Sequence, residues 1–265
     1  MQTGRDKTAL VTGASHGIGQ ALSMRLLESG WNVFGCGRDE KSLEALQARF
    51  PQFRPLQADF TSNHDLNAVV RVITESNVPL SLLVHSAGVK SAPRPLTQYD
   101  CESLDEELLV NLLAPMKLSA MLATLMPPES RILFLTSRAA SLTLEEVAPY
   151  CASKAGLDSL AAVLRKELAS AGIGVCSVIP GEVNTGMQKT LRETRSFHLH
   201  TQFEHAFKEE RLIAPEVCAQ FLEWLLCRCP FVDFSTRDMP ISIYDEWHHP
   251  FWLIDAKQLP PFPFG

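Results

Sequence analysis

The sequence carries no cluster of lysine and arginine: 24 basic residues stand against 30 acidic ones, a formal net charge of −6. Nucleic acid and anionic membranes, which want a concentrated positive patch, are therefore not expected as partners. Recurring cysteine spacing is missing too. The seven cysteines are an odd number without pattern, which argues against a disulfide framework and for reduced thiols packed as small core residues in the cytoplasm. A long apolar run at the start is also lacking, because Met1 to Lys7 is polar and leads into a segment too brief for a signal peptide or a membrane span. No internal repeat is found. With 46% hydrophobic and 20% charged residues, disorder is excluded, and 265 residues suffice for a single α/β domain with a well-buried core.

What the sequence does carry is an alternation of short apolar runs and longer amphipathic stretches. Strands are expected at Thr8–Val11, Val33–Cys36, Phe53–Gln57 and Leu82–His85, and helices between them at Ile18–Leu27, Leu43–Phe50 and Leu66–Ile73. The pattern continues with a long helix around Leu104–Met126, a strand Ile132–Thr136, a helix Tyr150–Ala169 and a strand Val175–Ile179. Connections of this kind impose right-handed crossovers, hence a doubly wound parallel sheet with helices on both faces. From Asn184 to Ala214 periodicity is weak and the segment is too long for a simple connector. A helix Glu216–Leu226 and a strand Ile241–Ile243 follow. The tail from Tyr244 to Gly265 is rich in Trp, Phe and Pro, which suits an ordered arm lying on an apolar surface.

Between the first strand and the first helix stands Thr12-Gly13-Ala14-Ser15-His16-Gly17-Ile18-Gly19. Gly13 permits a tight exit from the strand, Gly17 lets backbone approach a pyrophosphate, and Gly19 lets the helix pack closely on the sheet. The helix N-terminus adds unpaired N–H donors and a positive dipole, so a dinucleotide is the implied ligand. At the tip of the second strand, where a carboxylate would bond the ribose hydroxyls of NAD, the sequence has Gly37 followed by Arg38. An arginine fork suits the 2′-phosphate of NADP, and His16 faces the same phosphate. The competing reading makes Arg38 a solvated charge and Asp39 a helix cap.

Tyr150-Cys151-Ala152-Ser153-Lys154 puts a phenol and an ammonium four residues apart, on one helix face. The nearby cation and the helix N-terminus are expected to lower the phenol's pKa from about 10 and tune Tyr150 for acid–base work. Ser137 closes the strand Ile132–Thr136 at its carboxyl edge, where open α/β sheets bind ligands. Cys151 points off this face and reads as a packing residue.

Taken in order, these motifs resemble the short-chain dehydrogenase/reductase family over nearly the whole chain, from Lys7 to about Ile243. The resemblance implies a Rossmann-type sheet in one domain and a catalytic tetrad. Tyr150 would be acid or base, Lys154 would lower its pKa and hold the nicotinamide ribose, Ser137 would orient the substrate oxygen, and Asn111 would support a proton-relay water. It further implies cofactor contacts from Gly13, Ser15, His16, Gly17, Ile18 and Gly19 in the turn, from Asp59 and Phe60 toward adenine, and from Ser86, Ala87 and Gly88 along the cleft. Pro180, Gly181, Val183 and Thr185 would hold the nicotinamide carboxamide. Asp59 equally suits a helix cap. One departure is His85, which stands where the family usually has an amide tying strands together, and this puts the local sheet bonding in doubt.

Substrate choice is expected from the loop or lid over residues 185–214, through Met187, Arg192, Arg195, Phe197, His198, His200 and Phe203, with Arg138 and Glu182 bordering the pocket. Those residues suggest a polar or aromatic carbonyl compound. The histidines invite a metal reading, but no Cys or acidic partner is spaced to complete a site, and none is expected. The favoured function is an NADPH-dependent carbonyl reductase, similar to reductases of the sepiapterin and benzil type. The alternatives are an NAD-dependent alcohol dehydrogenase and a dinucleotide-sensing protein without turnover. Apolar surplus on the two long helices suggests a homodimer or homotetramer, with the arm crossing the interface or folded back on its own chain.

Overall fold

The computed structural model describes residues 7–263. Met1–Asp6 of the polar leader and the last two residues of the arm, Phe264 and Gly265, lie outside the described residues.

Seven parallel strands form one sheet in the order β3-β2-β1-β4-β5-β6-β7. They are β1 (Thr8–Thr12), β2 (Asn32–Gly37), β3 (Phe53–Gln57), β4 (Leu82–His85), β5 (Arg131–Leu135), β6 (Gly174–Ile179) and β7 (Ile241–Ser242). Alternate residues of each central strand feed two different cores. Ala9, Val11, Val84 and Leu135 point toward α1 (Gly17–Glu28) and α9 (Pro215–Cys227), while Leu10, Leu83 and Phe134 point toward α3 (Asn63–Glu75) and α6 (Ala148–Glu167). Both faces being covered explains why these strands read as continuous apolar runs. Between β2 and β3 lies α2 (Glu40–Arg49), capped by Asp39, whose side chain accepts from Ser42 N–H at 3.3 Å.

The long helix after β4 comprises α4 (Cys101–Leu108), a π-helical turn over Leu109–Leu113, and α5 (Ala114–Leu122). Among the described residues, the stretch Cys101–Leu125 is long and apolar enough to cross a membrane by length and composition. Here Val110, Ala114, Leu118 and Leu122 pack on the sheet, with Glu107 and Asn111 buried beside them. The weakly periodic segment after β6 folds as two short helices, α7 (Gly186–Glu193) and α8 (His200–Lys208), held over a small core of Leu191, Phe197 and Phe203. Two further short helices, α10 (Phe231–Ser235) and α11 (His249–Trp252), frame the C-terminal arm.

His85 does not disturb the sheet. β4 pairs in register with β1 and β5 through His85, opposite Thr12 and Phe134. The tie between strands comes from Thr12, whose Oγ accepts the N–H groups of Ser86 and Ala87 at 3.1 Å each. His85 itself is buried, bonds Ser119 Oγ at 2.9 Å and stacks on Phe134, and burial pulls its pKa down to about 3.

His248 is a second buried, neutral imidazole. Stacked on Phe221 with centroids 4.7 Å apart, it donates from Nε2 to Ser242 O at 2.8 Å and accepts at Nδ1 from Trp252 Nε1 at 2.8 Å. Burial pulls its pKa down to about 4. The unfolded chain takes up that proton near 6.5 and the folded chain only near 4, so stability is lost as pH falls through this window, by about 3 kcal/mol for this residue. Denaturant titrations at pH 7 and pH 4.5 should show the loss, and His248→Phe should make it about 3 kcal/mol smaller, leaving the part that the buried His85 contributes. An unaltered slope in the variant would contradict a neutral buried ring.

Candidate active site

A cleft of about 910 Å³ runs along the carboxyl ends of the strands, near the upper end of the roughly 300–1,000 Å³ usual for ligand pockets. At one end lies the glycine turn. Gly13 and Gly17 sit at φ +72° and +55°, a region costly for any residue with a Cβ. A Cβ on Gly13 would meet the backbone of Ala87 at 2.9 Å, and one on Gly19 would strike Gly13 O at 2.3 Å. The N-cap of α1, His16, makes no side-chain capping bond, and no acidic residue occupies the first turn. This helix end therefore presents N–H donors to the cleft with no built-in anion, which fits a pyrophosphate.

Around the turn, Ser15, His16, Ile18, Arg38, Asp59, Phe60, Ser86, Ala87 and Gly88 all line the cleft. A Cβ on Gly37 would meet Ser15 Oγ at 2.7 Å, so a carboxylate at this position would have to displace Ser15. Arg38 pairs with Glu106 at 3.0 Å and His16 with Asp39 at 3.2 Å, in both cases at exposed positions. Exposed pairs are worth roughly 0–1 kcal/mol and exchange readily for a better anion. Asp59 is not the cap of α3, a role taken by Ser62; its Oδ1 accepts from Thr61 N–H at 2.9 Å.

At the other end Ser137, Tyr150 and Lys154 converge. Pro149 sits in the first turn of α6 and places Tyr150 next, with Lys154 one turn on. Lys154 is buried and donates to Leu135 O at 2.8 Å, with Nζ 5.6 Å from the centre of the Tyr150 ring. The expected acidification of the phenol is not found. Burial pushes the Tyr150 pKa upward, with Glu182, Cys151 and Glu107 acting in the same sense, and the Ser137 hydroxyl alone pulling it down. Burial is the largest cause, and it also brings the pKa of the Lys154 ammonium down to about 8.

Asn111, in the π-helical turn, does not line the cleft but braces it. Its Oδ1 accepts Val89 N–H at 2.8 Å, and its Nδ2 donates to Val89 O at 2.8 Å and to Ser153 Oγ at 3.2 Å. The wider turn breaks the helical ladder at this point, as such turns do near functional sites.

Pro180, Gly181, Val183 and Thr185 border the cleft where β6 ends, together with Arg138 and Glu182. Of the segment 185–214, Met187, Phe197 and Phe203 reach the cleft, whereas Arg192 stacks on Phe207 at 4.1 Å and His198 bonds Glu146 at 2.7 Å. Arg195 and His200 are not part of the lining. Among the described residues no group of three or more His, Cys, Asp or Glu is placed to hold a metal ion.

Sequence reasoning passed over Lys90, Gln188 and Phe262. Lys90 stands two residues beyond Gly88, and its Nζ lies 4.8 Å above the Tyr150 ring, a second cation on that phenol. Gln188 donates to Glu182 Oε2 at 3.0 Å. Lys90 was visible as a basic residue beside the Ala87-Gly88 pair. Phe262, far off in the arm, left no signal.

A parallel α/β sheet whose glycine turn and Tyr–Lys pair share one cleft defines an oxidoreductase that uses a nicotinamide dinucleotide. The model of the short chain dehydrogenase family matches residues 7–196, and this chain belongs to that family. It is 32% identical over 197 residues to an uncharacterized oxidoreductase, DltE, of Bacillus subtilis, covering 71% of this chain and 76% of the relative. An NADPH-dependent pterin aldehyde reductase of Arabidopsis thaliana is 29% identical over 184 residues, covering 68% and 76%. Among solved structures, a short chain dehydrogenase/reductase from Saccharomyces cerevisiae superposes with a TM-score of 0.85 at 23% identity, covering 93% of this chain and 99% of that one.

Proposed function

We propose that this oxidoreductase is an NADPH-dependent reductase of ketones or aldehydes. The observation that carries the reading is the meeting of Ser137, Tyr150 and Lys154 at one end of a single cleft whose other end is the glycine turn. Gly13, Ser15, His16, Gly17, Ile18 and Gly19 would hold the pyrophosphate, Asp59 and Phe60 the adenine, and Thr185 with its neighbours the carboxamide. When bound, the reduced coenzyme supplies a hydride for the carbonyl carbon. Tyr150, protonated at neutral pH as an ordinary phenol is and with its pKa pushed further up by burial, then donates its phenolic proton to the carbonyl oxygen as negative charge develops there. Ser137 would donate a hydrogen bond to that oxygen, and Lys154, charged below about pH 8, would hold the ribose and offset the phenolate left behind.

Turnover of a panel of ketones and aldehydes with NADPH and with NADH tests the reading. NADPH-dependent reduction of at least one class is expected, and cofactor binding without reduction of any would overturn it. The preference for NADPH rests on Arg38 and on the absence of a side chain at Gly37. Arg38→Ala should weaken NADPH binding about 10- to 100-fold, the scale of one strong charge-assisted contact, and NADH binding less than threefold. Equal losses with both coenzymes would remove the phosphate contact.

The NADPH-dependent pterin aldehyde reductase and an L-xylulose reductase of Caenorhabditis elegans among the relatives support this reading. A cytoplasmic homo-oligomer completes the proposal, supported by the free cysteines and by Met116 and Val163, left exposed on the two long helices. Sedimentation of the purified protein should give a dimer or tetramer mass, and a monomer mass would refute it.

A further inference from the structure

We infer that the C-terminal arm is part of the substrate site. Phe262, backed by Arg138, is the wall that selects flat aromatic carbonyl compounds over short aliphatic ones. This deepens the reductase reading and rests on it for the identity of the reaction.

Phe262 lines the same cleft as Ser137 and Tyr150, although more than a hundred residues separate it from either in the chain. It is held there by contacts on several sides. The Arg138 guanidinium carbon lies 3.8 Å from its ring centre, and Tyr244 meets it edge-on with centroids 5.8 Å apart. The next residue, Pro263, is buried, and its carbonyl accepts from Arg211 Nη1 at 3.1 Å. An arm tied down this way is a fixed surface, whereas most chain termini near an end of the fold are loosely held.

Arg138 follows Ser137 directly, so the turn that presents the catalytic hydroxyl also presents the partner of Phe262. The guanidinium makes no side-chain hydrogen bond to the described residues, and one of its faces is covered by the ring. Its charge is attracted by the Glu182 carboxylate in the same cleft, and the stack holds the guanidinium in orientation. Apolar lining comes from Leu144, Val147, Leu199, Phe197 and Phe203. A flat conjugated carbonyl compound buries its ring against these side chains, whereas a short aliphatic one leaves the Phe262 wall uncontacted.

The probe is 2-naphthaldehyde, titrated calorimetrically into protein loaded with oxidised NADP, so that binding is read without turnover. The wild type should bind it, and Phe262→Ala should bind it at least 10-fold more weakly. A chain ending at Leu259 should lose the same affinity, while Phe262→Trp should retain it. NADP affinity should stay close to wild type in Phe262→Ala. Equal affinity for 2-naphthaldehyde in wild type and Phe262→Ala, or no binding to the wild type, would overturn the inference. Binding that depends on Phe262 without any reduction by NADPH or NADH would overturn the reductase reading alone. In steady state, Phe262→Ala should raise KM for 2-naphthaldehyde about 10-fold.

Discussion

Tyr150→Phe should bind NADPH as tightly as the wild type and reduce carbonyl substrates about 10³-fold more slowly, within the range of roughly 10²–10⁴ attributed to a positioned proton donor. The change removes one oxygen and keeps the ring, so the packing with Leu144, Val147 and Met187 and the Lys90 ammonium 4.8 Å above the ring survive. What disappears is the phenolic proton and its hydrogen bond with Ser137. The loss should fall on kcat and kcat/KM together, because the interaction is made with the oxygen as charge develops on it. A rise in KM at constant kcat would instead mark Tyr150 as a binding group.

Lys154→Met should lower kcat/KM about 10³-fold and, unlike Tyr150→Phe, should also weaken coenzyme binding about 10-fold, as expected of one ammonium serving two partners. Lys154 is buried, and apart from Leu135 O its ammonium bonds none of the described residues, which leaves donors for a ligand in the cleft. Methionine keeps the length and removes the charge. The same group sets the pH dependence. Burial brings its pKa down to about 8, so the charge is present below that pH and lost above it. Since kcat/KM reports the free enzyme, it should be level below about pH 8 and decline above, a limb that Lys154→Met should abolish. A decline in the variant at the same pH would assign the limb to another group, Lys90 being the nearest candidate with a pKa also brought down to about 8.

The parallel sheet and the glycine turn were legible because their signals are local: apolar runs of strand length, and closely spaced glycines, two of which, Gly13 and Gly19, sit where a Cβ would meet backbone within 3 Å. Tyr150 and Lys154 were legible for the same reason, being one helical turn apart. Residues 184–214 were not, because α7 and α8 are short and their apolar contacts, Leu191 with Phe197 and Phe203, are too few to set up a clear period. The direction of the Tyr150 shift depends on burial, which no spacing reveals. Asn111 was found by pattern, but its bonds to Val89, made from a π-helical turn, join elements that only the fold brings together. Thr12 ties β1 to the chain after β4, a contact between distant residues that only the folded chain displays. Phe262 belongs to the cleft through tertiary packing alone.

The account depends on hydride arriving at a carbonyl carbon in this cleft. Wild-type protein supplied with NADPH deuterated at the transferred position of the nicotinamide ring and with 2-naphthaldehyde tests that step directly. The expected product is the alcohol carrying one deuterium on its carbinol carbon, formed mole for mole with oxidised coenzyme. Recovery of unreacted coenzyme and aldehyde across the panel, or an alcohol without deuterium on carbon, would contradict it.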